Sequence, residues 1–169
     1  MRRIAAKRQE KIYQKSVLGV QETSPSCRGK DILIGIPFSD QIETLPEVIK
    51  TAQQGLQQYL SDKSAAFVIA ATHEGKNFLQ QITAVFKELA IAGQCFILAR
   101  ELQGKGWAIR ALMELSASFG SDLLLIEPDF VRQGQQGIQP SWISSLYRPL
   151  ALATCIGHGL CAPGVRQTS

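Results

Sequence analysis

At 169 residues the chain is long enough for one compact domain with a core and too short for two full ones. Its composition, 45% hydrophobic and 19% charged, is that of a globular protein, and no apolar run approaches the roughly 20 residues of a membrane span. The net charge of +4 is unevenly placed: residues 1–30 hold eight basic residues against Glu10 and Glu22, whereas the remainder holds ten basic and twelve acidic.

The first 30 residues therefore read as a basic extension, solvated and partly helical, of which residues 1–28 are expected to pack poorly and to be removable at little cost. No apolar h-region follows the first basic residues, so no secretory signal is expected. Such an extension attracts phosphate-rich surfaces, which gives an expectation of weak peripheral membrane association. No nucleic-acid partner is expected of the domain itself, and an oligomer is compatible with the sequence. Cys27, Cys95, Cys155 and Cys161 show no metal-type spacing; Cys95 sits in an apolar run, as a buried thiol does, and a reducing, cytoplasmic setting fits best.

From Asp31 onward strands and helices alternate. Ile32-Leu33-Ile34-Gly35-Ile36, closed by Pro37, is an unbroken apolar run, as expected of an interior strand covered on both faces. Thr44-Leu45-Pro46-Glu47 has the form of a capping box with proline in the first turn, and an apolar stripe from Leu45 to Leu60 follows it. Ala66 to Ala71 reads as the second strand. Phe78 to Ala90 reads as the second helix, with Gly93 as its stop. Cys95 to Ala99 is the third strand, Trp107 to Phe119 the third helix, and Leu123 to Ile126 the fourth strand. Gln133 to Gly137 is a loop, residues 140–150 suit one short helix, and residues 151–169 form an irregular tail.

This alternation predicts an α/β domain with a parallel sheet and helices on both faces. In such sheets ligands sit beyond the carboxyl ends of the strands. Four loops are thereby singled out: Pro37 to Asp40, Thr72 to Gly75, Arg100 to Gly106, and Glu127-Pro128-Asp129. Two carboxylates two residues apart at a strand end suit a hard divalent cation bridging to a diphosphate. Gly104-Lys105-Gly106 before a helix favours phosphate, although it lacks the spacing of a P-loop. His73 could contact a base or ribose, and Ser39 and Asp40 could equally cap the helix that follows them. Each signal taken alone also fits a solvated loop.

Together these segments resemble the family-2-like GT-A glycosyltransferases, nearest the branch that makes glucosyl- or mannosyl-glycerate-type solutes. The matching residues are Pro37-Phe38-Ser39-Asp40, Gly104-Lys105-Gly106-Trp107-Ala108 and Glu127-Pro128-Asp129, with Pro140-Ser141-Trp142-Ile143 beyond them. The resemblance covers residues 31–150 and implies the Rossmann-like, nucleotide-diphospho-sugar-binding half of a GT-A fold. It implies a glycosyltransferase that takes a UDP- or GDP-sugar, with Pro37, Phe38, Ser39, Asp40, His73 and Lys105 at the donor. It further implies Mg²⁺ or Mn²⁺ on Glu127 and Asp129; the catalytic residue and the acceptor are unknown. Glu127 departs from the family's usual aspartate, and Thr72-His73-Glu74-Gly75 departs from its Asp-Gly-Ser-type turn. The family's acceptor-binding half does not follow residue 150. The alternative expectation is accordingly a truncated nucleotide-sugar-binding remnant without turnover, or a subunit completed by a partner.

Overall fold

The computed structural model describes residues 2–38, 43–72, 77–102, 104–126 and 139–148, with side chains from residue 6 onward. In chain order the elements are α1 (Arg2–Thr23), a 3-10 turn (Pro25–Cys27), β1 (Ile32–Phe38), α2 (Leu45–Tyr59), β2 (Ala65–Ala71), α3 (Phe78–Glu88), β3 (Gly93–Ile97), α4 (Lys105–Phe119) and β4 (Asp122–Leu125). Residues 141–148 are helical as well.

The four strands form one all-parallel sheet in the order β3-β2-β1-β4, which is the α/β, Rossmann-like arrangement the alternation predicts. β1 is interior, as its apolar run requires: every one of its seven residues is buried. Ile32 pairs with Ala65 on one side and with Asp122 on the other. The two-residue period of the strand divides its side chains between two layers. Ile32, Ile34, Ile36 and Phe38 meet α2, α3 and Ile143, whereas Leu33 joins the layer built by α1 and α4. At the amino edge the Asp31 carboxylate accepts hydrogen bonds from the Ser64 backbone N–H (2.7 Å) and hydroxyl (2.8 Å), fixing where β1 and β2 begin.

The largest departure from the sequence-based expectations concerns the first 30 residues. They are not a loosely packed extension. Tyr13, Val17, Val20 and Cys27 are buried on the same side of the sheet as Ala108, Ala111, Leu112 and Leu115 of α4. Tyr13, Val17 and Val20 recur at helical spacing, so one face of α1 is apolar despite the charges around it.

Three smaller expectations are corrected too. Thr44 has helical dihedrals (φ −86°, ψ −19°) and its side chain makes no capping bond, so the capping box does not form through it. Its carbonyl instead accepts the Val48 N–H at 3.1 Å. Gly93 does not stop α3, which ends at Glu88 with Ala90 taking the positive φ of 51°. Gly93 opens β3 and leaves room for the Phe86 ring, which a Cβ there would meet at 2.7 Å. The third helix begins at Lys105, two residues earlier than the apolar stripe indicates.

Among the described residues no helix is long and apolar enough to cross a membrane.

Candidate functional site

The strand order places a topological switch between β1 and β4: the chain moves outward from β1 through β2 to β3, then returns across the sheet by way of α4 to pair β4 with β1. Crossovers on opposite sides of the sheet diverge at that point, leaving a crevice at the carboxyl ends of the two strands. Register fixes this edge in detail. Phe38 aligns with Ala71 and Ala71 with Ile97, while the Ile126 N–H donates to the Gly35 carbonyl at 2.9 Å. The Phe38 carbonyl accepts from Thr72, at 3.1 Å from its N–H and 3.4 Å from its hydroxyl.

Of the residues singled out in the sequence, Pro37, Phe38 and Lys105 lie among those described. Pro37 and Phe38 end β1 at this edge. The Phe38 ring is 5% exposed and stacks on Phe78 at 4.7 Å between centroids, so its surface is spent in the core and on holding the start of α3. Lys105 is the first residue of α4, partly buried. Gly104 caps that helix at φ +101°, a backbone conformation that side chains with a Cβ avoid. The first amide groups of a helix lack intrahelical partners and carry its partial positive charge, so an anion is favoured there. Ser39, Asp40, His73, Glu127 and Asp129 lie outside the described residues. Among the described residues no group of three or more His, Cys, Asp or Glu is arranged to hold a metal ion.

One contributor to this edge is absent from the sequence-based reading. The Gln9 side-chain amide reaches the Glu101 carbonyl at 3.4 Å, bringing α1 against the loop that precedes α4. The apolar positions Tyr13, Val17 and Val20 were the available signal for it. Farther along, Arg110 of α4 lies 4.2 Å from the centroid of Tyr13 and 5.5 Å from that of Trp107, whose rings are 5.2 Å apart. The cation over two rings and the packed aromatics tie α1 to α4.

A depression of about 490 Å³ opens at the opposite, amino edge, bordered by Lys30, Gln53, Lys63 and Ile91 among others. The ends of α2 and α3 border it, and their carbonyl-rich termini oppose the positive charge of the two lysines. At the carboxyl edge Lys105 opens the N-terminus of α4, and the lysine and that helix end have the same sign.

The two thiols among the described residues differ from reactive ones. Cys27 is buried and Cys95 partly buried, both unbridged; burial raises the pKa of each, that of Cys95 to about 12.

The class that this architecture defines is an α/β, all-parallel, Rossmann-like domain. No protein-family model matches the chain, and no curated protein or solved structure matches it.

Proposed function

We propose that the chain binds a nucleotide-diphosphate sugar across the carboxyl edge of its sheet and belongs to a glycosyl-transferring protein. The observation that supports the reading is that β1, which ends with Pro37-Phe38, borders the switch between β1 and β4, and that α4, which opens with Lys105 after Gly104, packs on β1. In this reading the segment from Pro37 to Asp40, its buried Phe38 ring excepted, and His73 attend the base and ribose, and Lys105 with the first amides of α4 takes a phosphate. Glu127 and Asp129, which follow Ile126 in sequence, would hold Mg²⁺ or Mn²⁺; hard carboxylate oxygens fit such a cation, which would neutralise charge on the diphosphate. The donor is a UDP- or GDP-sugar. A reducing, cytoplasmic setting belongs to the same reading and is supported by the unbridged Cys27 and Cys95.

The test is thermal unfolding with UDP- and GDP-sugars, with Mn²⁺ or with chelator. A ligand at a hundred times its Kd adds about 2.7 kcal/mol, a readily visible shift. Stabilisation that requires metal supports the proposal. If no nucleotide-sugar stabilises the chain in either condition, the proposal fails.

A further inference from the structure

Packing fixes which side of α1 meets solvent. Tyr13, Val17 and Val20 face the core, and the opposite side presents Lys7, Arg8, Lys11 and Lys15, all exposed. Lys7, Lys11 and Lys15 follow one another at four-residue steps and so form a row along the helix. Leu18 continues that row with 54% of its surface exposed, about 16 Å from Lys7 along the axis at the rise of an α-helix. Glu10, to one side of the row, is held by Arg110, Glu22 is exposed one turn beyond Leu18 on the same face, and among the described residues none of the four cations is in an ion pair. In the same layer Met113 of α4 is 56% exposed.

We infer that this outer face of α1 docks flat on an anionic phospholipid surface, with Lys7, Arg8, Lys11 and Lys15 at the headgroups and Leu18 entering the interfacial region. Charge complementarity argues for it: the row is linear and sets four cations against the single carboxylate of Glu22 at its far end, and each basic residue near an anionic leaflet strengthens binding about fivefold. A membrane is favoured over a nucleic acid because the aromatic rings nearest this face, Tyr13 and Trp107, are packed against each other and Arg110. They offer no stacking platform to a base, and the side chain exposed at the end of the row is aliphatic. Because Gln9 reaches the Glu101 carbonyl, such docking brings the lipid surface beside the carboxyl edge of the sheet. The inference does not rest on the nucleotide-sugar reading.

Co-sedimentation of the full chain with phosphatidylcholine vesicles, with and without about one third phosphatidylglycerol, tests it. The expected result is binding to the anionic vesicles alone, weakening as salt rises. The pair Lys11→Glu/Lys15→Glu should weaken binding by at least about 25-fold, two cations at about fivefold each. The charge-matched pair Lys50→Glu/Lys87→Glu, on exposed positions of α2 and α3 in the other layer, should change it by less than about threefold. Circular dichroism confirms that each variant is folded, and Leu18→Ala should weaken binding further without altering net charge. Absence of binding to anionic vesicles overturns the proposal. So does an equal loss from both charge-reversed pairs. Tighter binding to duplex DNA than to the vesicles, lost in Lys11→Glu/Lys15→Glu, would reassign the face to nucleic acid.

Discussion

Arg110 on α4 grips Glu10 on α1 through two hydrogen bonds, Nη1 to Oε2 at 2.8 Å and Nη2 to Oε1 at 2.7 Å, across 100 residues of sequence. Its Nε donates to Glu114 at 2.9 Å, and its guanidinium plane lies over the Tyr13 ring. One side chain thus spans the boundary between the first helix and the rest of the domain. The parallel, fork-like geometry is the one that arginine makes best with a carboxylate.

The clamp has a pH dependence. The Arg110 hydrogen bonds, and then the one from Gln14, hold the Glu10 carboxyl down at about 2, against an ordinary value of 4.5. A carboxylate whose pKa is lowered on folding contributes stability above its unfolded value and loses it as pH falls toward the folded one. The contribution is therefore complete above about pH 4.5 and fades toward pH 2. Unfolding of Glu10→Gln and of the parent should differ at pH 7 and converge toward pH 2. A difference that stays constant over that range would contradict the assignment.

Tyr13 separates packing from polarity. It is fully buried, and its hydroxyl has no hydrogen-bond partner of acceptable geometry, while burial and then the Glu114 charge push the phenol's pKa up. Tyr13→Ala should cost about 3–5 kcal/mol, the usual range for emptying an aromatic site in a core. Tyr13→Phe should be neutral or stabilising, since it removes a buried polar group that gains nothing by being there. Urea unfolding of both variants measures this, and a Tyr13→Phe variant destabilised by more than about 1 kcal/mol would show that the hydroxyl is bonded. Deleting residues 1–20 should lower the melting temperature more than either, because the whole α1 face of the core is lost.

Two glycines in helices should respond in opposite directions to alanine. In α1, a Cβ at Gly19 meets nothing within 4 Å, so Gly19→Ala should stabilise by roughly 0.5–1 kcal/mol through helix propensity. In α2, a Cβ at Gly55 would run into the Pro140 carbonyl oxygen and approach Ile143 Cγ1 at 2.6 Å. Gly55→Ala should destabilise by about 1–3 kcal/mol despite the same propensity gain, because the helical segment 141–148 must shift away. Thermal melts of the pair decide it; equal signs would place the segment elsewhere.

For the proposed donor site, Lys105→Ala should raise the Kd of a nucleotide-sugar about 10- to 100-fold, the loss of one charged hydrogen bond to phosphate, while keeping its dependence on Mn²⁺. Asp129→Ala should remove the metal dependence, because the cation is left a strong ligand short. Isothermal titration with and without Mn²⁺ reads both. Equal effects of the two substitutions on metal dependence would mean that phosphate and metal are not held by separate groups.

The sheet was largely legible in the sequence because exclusion of water writes itself locally. An unbroken run such as Ile32 to Ile36 is tolerated only where both faces are covered, and β1 is the interior strand. Single helices between strands left parallel pairing as the only short connection, so the carboxyl edge, with Pro37 and Lys105 at it, followed from order alone. Where α1 goes was not so encoded. Its net positive charge reads as solvated, and the few apolar positions at Tyr13, Val17 and Val20 acquire meaning only once α4 supplies the opposing surface. Phe38 likewise reads as a loop-edge ring until Phe78 is found stacked on it, 40 residues later in the chain. Hydrophobic period is a property of neighbours in sequence, but a partner for a charge or a ring is chosen by neighbours in space. The bond from Arg110 to Glu10 exists only after the sheet has brought their two helices together.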